Sequence, residues 1–182
     1  MNNLITLIIL IIIILVLFII TLISLSKNKI EDNLISLDIA SDDLNTNLKQ
    51  KYILYKEIIK FITNNISIRE DAFQEFQSLK KNDDSLKDLI TILDKTTFEI
   101  NEYVDNYNDL LKNKDFIDLK RKLYKVQINI ESCVDYYNNK LIIYNKLKNK
   151  GITSIASKLF DFSEFEVIKT DKKEISRLIN LN

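Results

Sequence analysis

Between Leu4 and Leu25 the chain reads LITLIILIIIILVLFIITLISL, with Thr and Ser its only polar residues and no charge. A helix of that length covers about 33 Å at roughly 1.5 Å per residue, enough for a hydrocarbon core of about 30 Å. Beyond Lys27 the run becomes a stripe. Ile30, Leu34, Leu37, Leu44, Leu48, Tyr55, Ile59 and Ile62 recur at helical steps up to the polar break Thr63-Asn64-Asn65, which predicts a helix continuing out of the apolar segment. Ser67-Ile68-Arg69-Glu70 has the form of a capping box and predicts a shorter helix through Phe73, Phe76 and Leu79, ending near Asn82. Asp84 or Ser85 then caps a third helix on the seam Leu86, Leu89, Leu93, Ile100 and Tyr103, with Val104 beside it. The pattern leaves open whether these two helices are continuous.

An Asn/Asp-rich bend from Asp105 to Asp115 precedes the longest seam, which runs Phe116, Leu119, Leu123, Val126, Ile130, Cys133, Tyr137, Leu141, Tyr144 and Leu147. Gly151, the only glycine, falls where a helix end needs a left-handed residue, with Lys146, Lys148 and Lys150 near the negative end of the dipole. No run alternates like a strand between hairpin signals. The expected fold is therefore all-α: an N-terminal transmembrane helix followed by an antiparallel bundle of three or four long helices with coiled-coil-like spacing. The expected divisions are residues 1–29 as anchor, 30–166 as bundle with a C-terminal aromatic cap, and 167–182 as a charged tail.

The apolar run has two readings. A cleaved signal peptide would show a basic n-region and a shorter apolar stretch, whereas Met1-Asn2-Asn3 carries no Lys or Arg; Ser24-Leu25-Ser26 does imitate a small-x-small cleavage site. As a membrane anchor, with residues 4–25 in the lipid bilayer, its orientation follows Lys27 and Lys29 after the span, which favour the N-terminus outside and the bundle cytoplasmic at a cell membrane.

Composition narrows the chemistry. Net charge is zero, with 26 basic and 26 acidic residues, so no overall field draws nucleic acid. His, Trp and Pro are missing, and there is one Gly and one Cys, which removes imidazole bases, His metal ligands and Gly-rich phosphate loops. No cofactor, metal or small-molecule substrate is expected, and the protein is read as no enzyme. Cys133, on the apolar seam, reads as a small buried hydrophobe.

Four features invite a sharper reading. Tyr137-Asn138 recurs as Tyr144-Asn145 two helical turns on; the tyrosines are either core, with hydroxyls reaching a polar edge, or part of a binding face in which the asparagines fix the register of a partner. Phe160, Phe162 and Phe165, with Glu166, follow the last long helix and either cap the bundle or dock a partner or membrane interface. Lys120-Arg121-Lys122 with Lys125 is a solvated helix face or a patch for anionic lipid or nucleic acid. Asp42/Asp43 and Asp83/Asp84 lack the Glu-x-x-His companions of bundle metal sites.

The order of these segments resembles the LemA family of bacterial single-pass membrane proteins over nearly the whole chain. Leu48-Lys49-Gln50-Lys51 and Leu54-Tyr55 stand in register with its L-K-R-R-x-D-L-I-P-N-L, with Lys56 and Glu57 at the Pro-Asn positions. Tyr107-Asn108-Asp109-Leu110, Asn113, Asp115-Phe116-Ile117 and Leu119 are similar to its Y-P-D-L-K-A-N-x-N-F-L-x-L-Q bend. Ile130, Tyr137, Asn138, Leu141, Tyr144 and Asn145 resemble its R-I-x-x-A-R-R-x-Y-N-x-x-V-x-x-Y-N, with Val134 and Asp135 at the paired arginines. Ile155 to Phe162, followed by Phe165-Glu166, resembles L-I-A-x-L-F-G-F and F-E, with Asp161 at the Gly. The resemblance implies a membrane-anchored helical bundle without an established enzymatic activity. The expected role is a scaffold or adaptor with an unidentified protein partner or self-association; the other reading is an accessory or regulatory subunit of a membrane enzyme or membrane-remodelling complex.

Overall fold

The computed structural model describes residues 2–79, 85–170 and 172–179. Among them every regular element is helical: α1 (Asn2–Asn65), α2 (Gln74–Ser78), α3 (Leu86–Asn106), a 3-10 turn (Asn108–Lys112), α4 (Lys114–Lys148), α5 (Gly151–Phe160) and α6 (Lys172–Ile179). α1 includes the apolar run and ends at the Asn pair, as the stripe predicts. The chain divides into two compact units, one made of Met1–Ala40 with Tyr137–Val167 and the other of Ser41–Tyr136 with Ile168–Asn182.

The 41–136 unit is a packed helical core. Leu44, Leu48, Tyr55, Ile58 and Ile62 of α1 are buried with Leu93, Ile100 and Val104 of α3 and Phe116, Leu123 and Ile130 of α4. The Phe61 and Phe116 rings lie 5.5 Å apart, and Asn47 Nδ2 donates to Cys133 Sγ at 3.6 Å. Residues rising along α1 therefore meet residues falling along α4, so the two are antiparallel here. Ser85 caps α3, its Oγ accepting from the Asp88 amide at 3.2 Å. Asp83, Asp84 and Asn82 lie outside the described residues.

Two expectations change in this unit, and one open alternative is decided. The capping box does not open a helix: residues 70–73 form a turn, and α2 starts only after Phe73 at φ 60. Amides of this segment are held from α3 instead, Arg69 N–H by Tyr103 Oη at 3.2 Å and Phe73 N–H by Glu99 Oε2 at 3.0 Å. Tertiary partners on α3 thus outbid the local cap. Leu79 has left the helix, so α2 does not run on into α3. Within residues 167–182, read as a charged tail, α6 packs on α3 with Ile175 and Leu178 buried and Arg177 paired with Asp105. An i,i+3 pair of aliphatics inside a charged segment is enough to dock it.

In the other unit α4 ends at Lys148, and its last carbonyls find partners on α5: Thr153 Oγ1 donates to Leu147 O at 2.5 Å and Ser157 Oγ to Lys148 O at 3.1 Å. Gly151 has φ 56, the left-handed residue that the break requires. Asp161 closes α5 in the same region, at φ 46 and ψ 60, and residues 162–167 continue as an irregular strap.

Candidate functional site

On α4 the buried positions step 4, 3, 4, 3 along Phe116, Lys120, Leu123, Gln127, Ile130, Val134, Tyr137, Leu141 and Tyr144, a heptad seam. Leu119, Val126 and Cys133, placed on this seam by their hydrophobicity, are only half-buried beside it. Lys120, read as solvated, is inside, and burial lowers its pKa; Arg121 and Lys122 stay exposed. Burial and Asp43 push the Cys133 thiol up, which keeps it protonated and poorly nucleophilic.

In the 41–136 unit this seam meets a second polar insertion. Lys51, 3% exposed, occupies the α1 position seven residues after Leu44 and seven before Ile58. Its Nζ lies 3.6 Å from Asp94 Oδ1 on α3 and 5.4 Å from the Tyr55 ring centre. Desolvation lowers the Lys51 pKa against the pull of Asp94 and Glu131. Thr97 Oγ1 donates to Leu93 O at 2.8 Å, so the 2.5 Å contact with Tyr55 has the tyrosine hydroxyl donating; burial pushes that phenol far above its ordinary value. Gln127 Nε2 donates to Glu131 Oε1 at 3.1 Å, whereas Gln127 Oε1 is buried without a partner. Three helices thus share a polar layer inside an apolar core. An ammonium held between a carboxylate and a ring can fix helix register.

The surface concavities of this unit are open grooves. The one lined by Asn65, Ile66, Asn106, Tyr107, Asp109 and Asn113, among others, has about 520 Å³. Another, of about 430 Å³, runs between Gln50 and Ile53 on one side and Lys125, Val126 and Asn129 on the other. Neither is lined by Lys51 or Asp94. Among the described residues no group of three or more carboxylate or thiol side chains gathers in the manner of a metal site, and Asp42 and Asp43 are exposed on α1.

The paired tyrosines sit in the other unit and are core. Tyr137 Oη donates to Glu166 O at 3.3 Å and Tyr144 Oη to Ser163 O at 2.7 Å, so both hydroxyls hold the strap that follows α5. Burial is the main cause that raises both phenols. Phe165 meets Tyr144 edge-on at 5.6 Å between ring centres, and Lys148 Nζ donates to Phe162 O at 2.9 Å and Ser163 O at 3.2 Å. Phe162 and Phe165 are half-buried under these contacts, while Phe160 remains exposed with Lys27 over its ring. Glu166 enters through its backbone carbonyl. Asn138 is half-buried, and Asn145 is exposed with its carbonyl accepting from Asn149 Nδ2. The structure therefore joins Tyr137, Tyr144, Phe162, Phe165 and Glu166 in one tie, with Phe160 at its edge. Sequence reading missed Lys51, Lys120 and Gln127, although Lys51 lies seven residues from Leu44 and from Ile58, Gln127 seven from Val134, and Lys120 four from Phe116 and three from Leu123.

A family model described as the LemA family matches residues 40–180. No curated protein and no solved structure matches the chain.

Proposed function

Since the chain belongs to the LemA family, we propose that it is a non-enzymatic scaffold or adaptor fixed in the cell membrane by residues 4–25, with its N-terminus outside and its helical units in the cytoplasm. The observation that carries this reading is the start of α1, uncharged and apolar from Leu4 to Leu25, with its large side chains open from Leu4 to Ile20. Lipid is the solvent for such a surface. The polar groups farther on support a structural role: Lys51, Tyr55 and Thr97 are spent on the helix core, and Tyr137 and Tyr144 on holding the strap. Partner capture then falls to the exposed faces, with a protein partner or self-association and without nucleic acid or small-molecule substrate. Crosslinking in intact cells from a photoreactive residue at Ile53, in the open groove of the 41–136 unit, tests the reading. Recovery of one discrete partner or of a homodimer supports it; turnover of a small molecule by the purified chain overturns it. The accessory-subunit reading gains if the crosslinked partner is an enzyme present in stoichiometric amount.

A further inference from the structure

The last residue of α5 stands against the first charge that follows the apolar run. Lys27 Nζ lies 5.1 Å from the centre of the Phe160 ring, and Lys27 is two residues beyond Leu25. Within this unit the ring therefore marks the level at which a membrane surface would meet α1. The side chains of α1 mark the same level: Leu22, Ile23, Ser26 and Lys27 are half-covered and Ile30 is buried, whereas Leu4 to Ile20 are open. Cover begins in the last turns of the apolar run.

α5 has two faces. Ala156 is buried and Ser157 bonds the end of α4, which turns one side inward. Ile152, Ile155 and Leu159, at i, i+3 and i+7, form a stripe that is 43, 53 and 63% exposed. Three aliphatic side chains are too few to support a stable dimer, which needs on the order of 800 Å² from each partner. Lipid is the apolar medium already present at that level, and an aromatic ring such as Phe160 beside a lysine suits the interface. We infer that α5 is a monotopic membrane contact, with Ile152, Ile155 and Leu159 seated in the headgroup–acyl boundary beside the span. This inference rests on the reading of residues 4–25 as membrane-spanning.

The chain has no tryptophan, so a single introduced one reports cleanly. The full chain carrying Leu159→Trp, Ile155→Trp, Leu15→Trp or Ile142→Trp is reconstituted into phosphatidylcholine vesicles with and without brominated acyl chains. Circular dichroism checks that each variant stays helical, and the two α5 positions guard against a local fault at either one. Leu159→Trp and Ile155→Trp are expected to lose emission about twofold in brominated lipid, as Leu15→Trp does. Ile142→Trp, exposed on α4 about 9 Å of helix before Lys148, is expected to keep its emission. Quenching at Leu15→Trp alone overturns the inference and leaves the span standing; quenching at none overturns both. Equal quenching at Ile142→Trp also overturns it. So does a Leu159→Trp that brominated lipid leaves alone but that protein density shields from acrylamide, since a second copy then covers the stripe.

Discussion

The two units fill one seam in opposite ways. In the 41–136 unit the α4 seam faces α1 and α3, and its apolar residues share the interior with Lys120 and Gln127. In the unit containing Tyr137–Val167 the same period continues through Tyr137, Leu141 and Tyr144, but there both tyrosine hydroxyls bond to carbonyls of an irregular strap. A seven-residue period therefore decides which side chains are inside and says little about what lies over them. The helix core tolerates a buried lysine because Asp94 and Tyr55 are at hand. The strap needs tyrosines because its carbonyls have no helical partners of their own.

The comparison breaks most sharply at Ile130, which is buried among helices. Ile130→Asp places an unpaired charge there and is expected to cost about 4 kcal/mol or more, abolishing the cooperative melt of the 41–136 unit. Unchanged melting by circular dichroism would dissolve the idea of a packed core. Next in size is Tyr144→Ala, expected to cost about 3 to 5 kcal/mol by removing a fully buried ring. Its signature should be local, with faster amide exchange and proteolysis in residues 161–167. Tyr144→Phe keeps the contact with Phe165 and loses only the bond to Ser163, for about 1 kcal/mol. If the Phe variant frees the strap as fully as the Ala variant does, the hydroxyl and not the ring holds it.

Much of this was legible in the chain. Continuous apolarity, the seam positions Phe116, Leu123, Ile130, Tyr137, Leu141 and Tyr144, Ser85 as cap and Gly151 as break each depend on local rules, and each falls where those rules place it. What escaped depends on distant partners. Ser67-Ile68-Arg69-Glu70 satisfies the rule for a capping box, yet Tyr103 and Glu99 on α3 take the nearby amides. Lys51, Lys120 and Gln127 were passed over because polarity outweighed register, although Leu44, Lys51 and Ile58 are spaced seven apart. The strap was legible as an aromatic cluster. Its anchoring to Tyr137 and Tyr144 was not, since carbonyl acceptors leave no trace in sequence.

Lys51 gives the next effect in size. Its pKa is lowered from 10.5 chiefly by desolvation, so the folded chain disfavours the ammonium even beside Asp94. Lys51→Met, of similar length and apolar, removes that desolvation but also takes the ammonium from Asp94, 23% exposed, so the two changes offset and the net effect at neutral pH is expected to stay within about 1 kcal/mol. Between the lowered pKa and 10.5 the unfolded chain binds more protons than the folded one, so in the parent stability rises with pH across that window. Tyr55 acts oppositely. It stays protonated when folded and ionises near 10.0 when unfolded, so its contribution is full below that pH and is lost above it. Urea melts from pH 7 to 11 should show a rise and then a fall in the parent, and a smaller rise before the fall in Lys51→Met, where only Lys120 of the two buried lysines remains. An undiminished rise would assign the effect to Lys120.

The smallest effect lies in the strap unit, at the end of α5. Asp161 is left-handed at φ 46, where a Cβ is unfavourable, and the resembling family motif places Gly at this position. Asp161→Gly relieves that strain but gives the unfolded chain more freedom, so the gain is a small difference of about 0.5 kcal/mol. Because Asp161 lies between Phe160 and Phe162, the gain should appear as slower amide exchange from α5 through residue 167, with the 41–136 unit unchanged. Gly151→Ala is the converse: nothing lies within 4 Å of the added methyl, so its cost is backbone strain alone, about 1 kcal/mol. If the two changes move exchange in the same direction, left-handed geometry does not govern these two breaks, and the strap is set by its tyrosine ties alone.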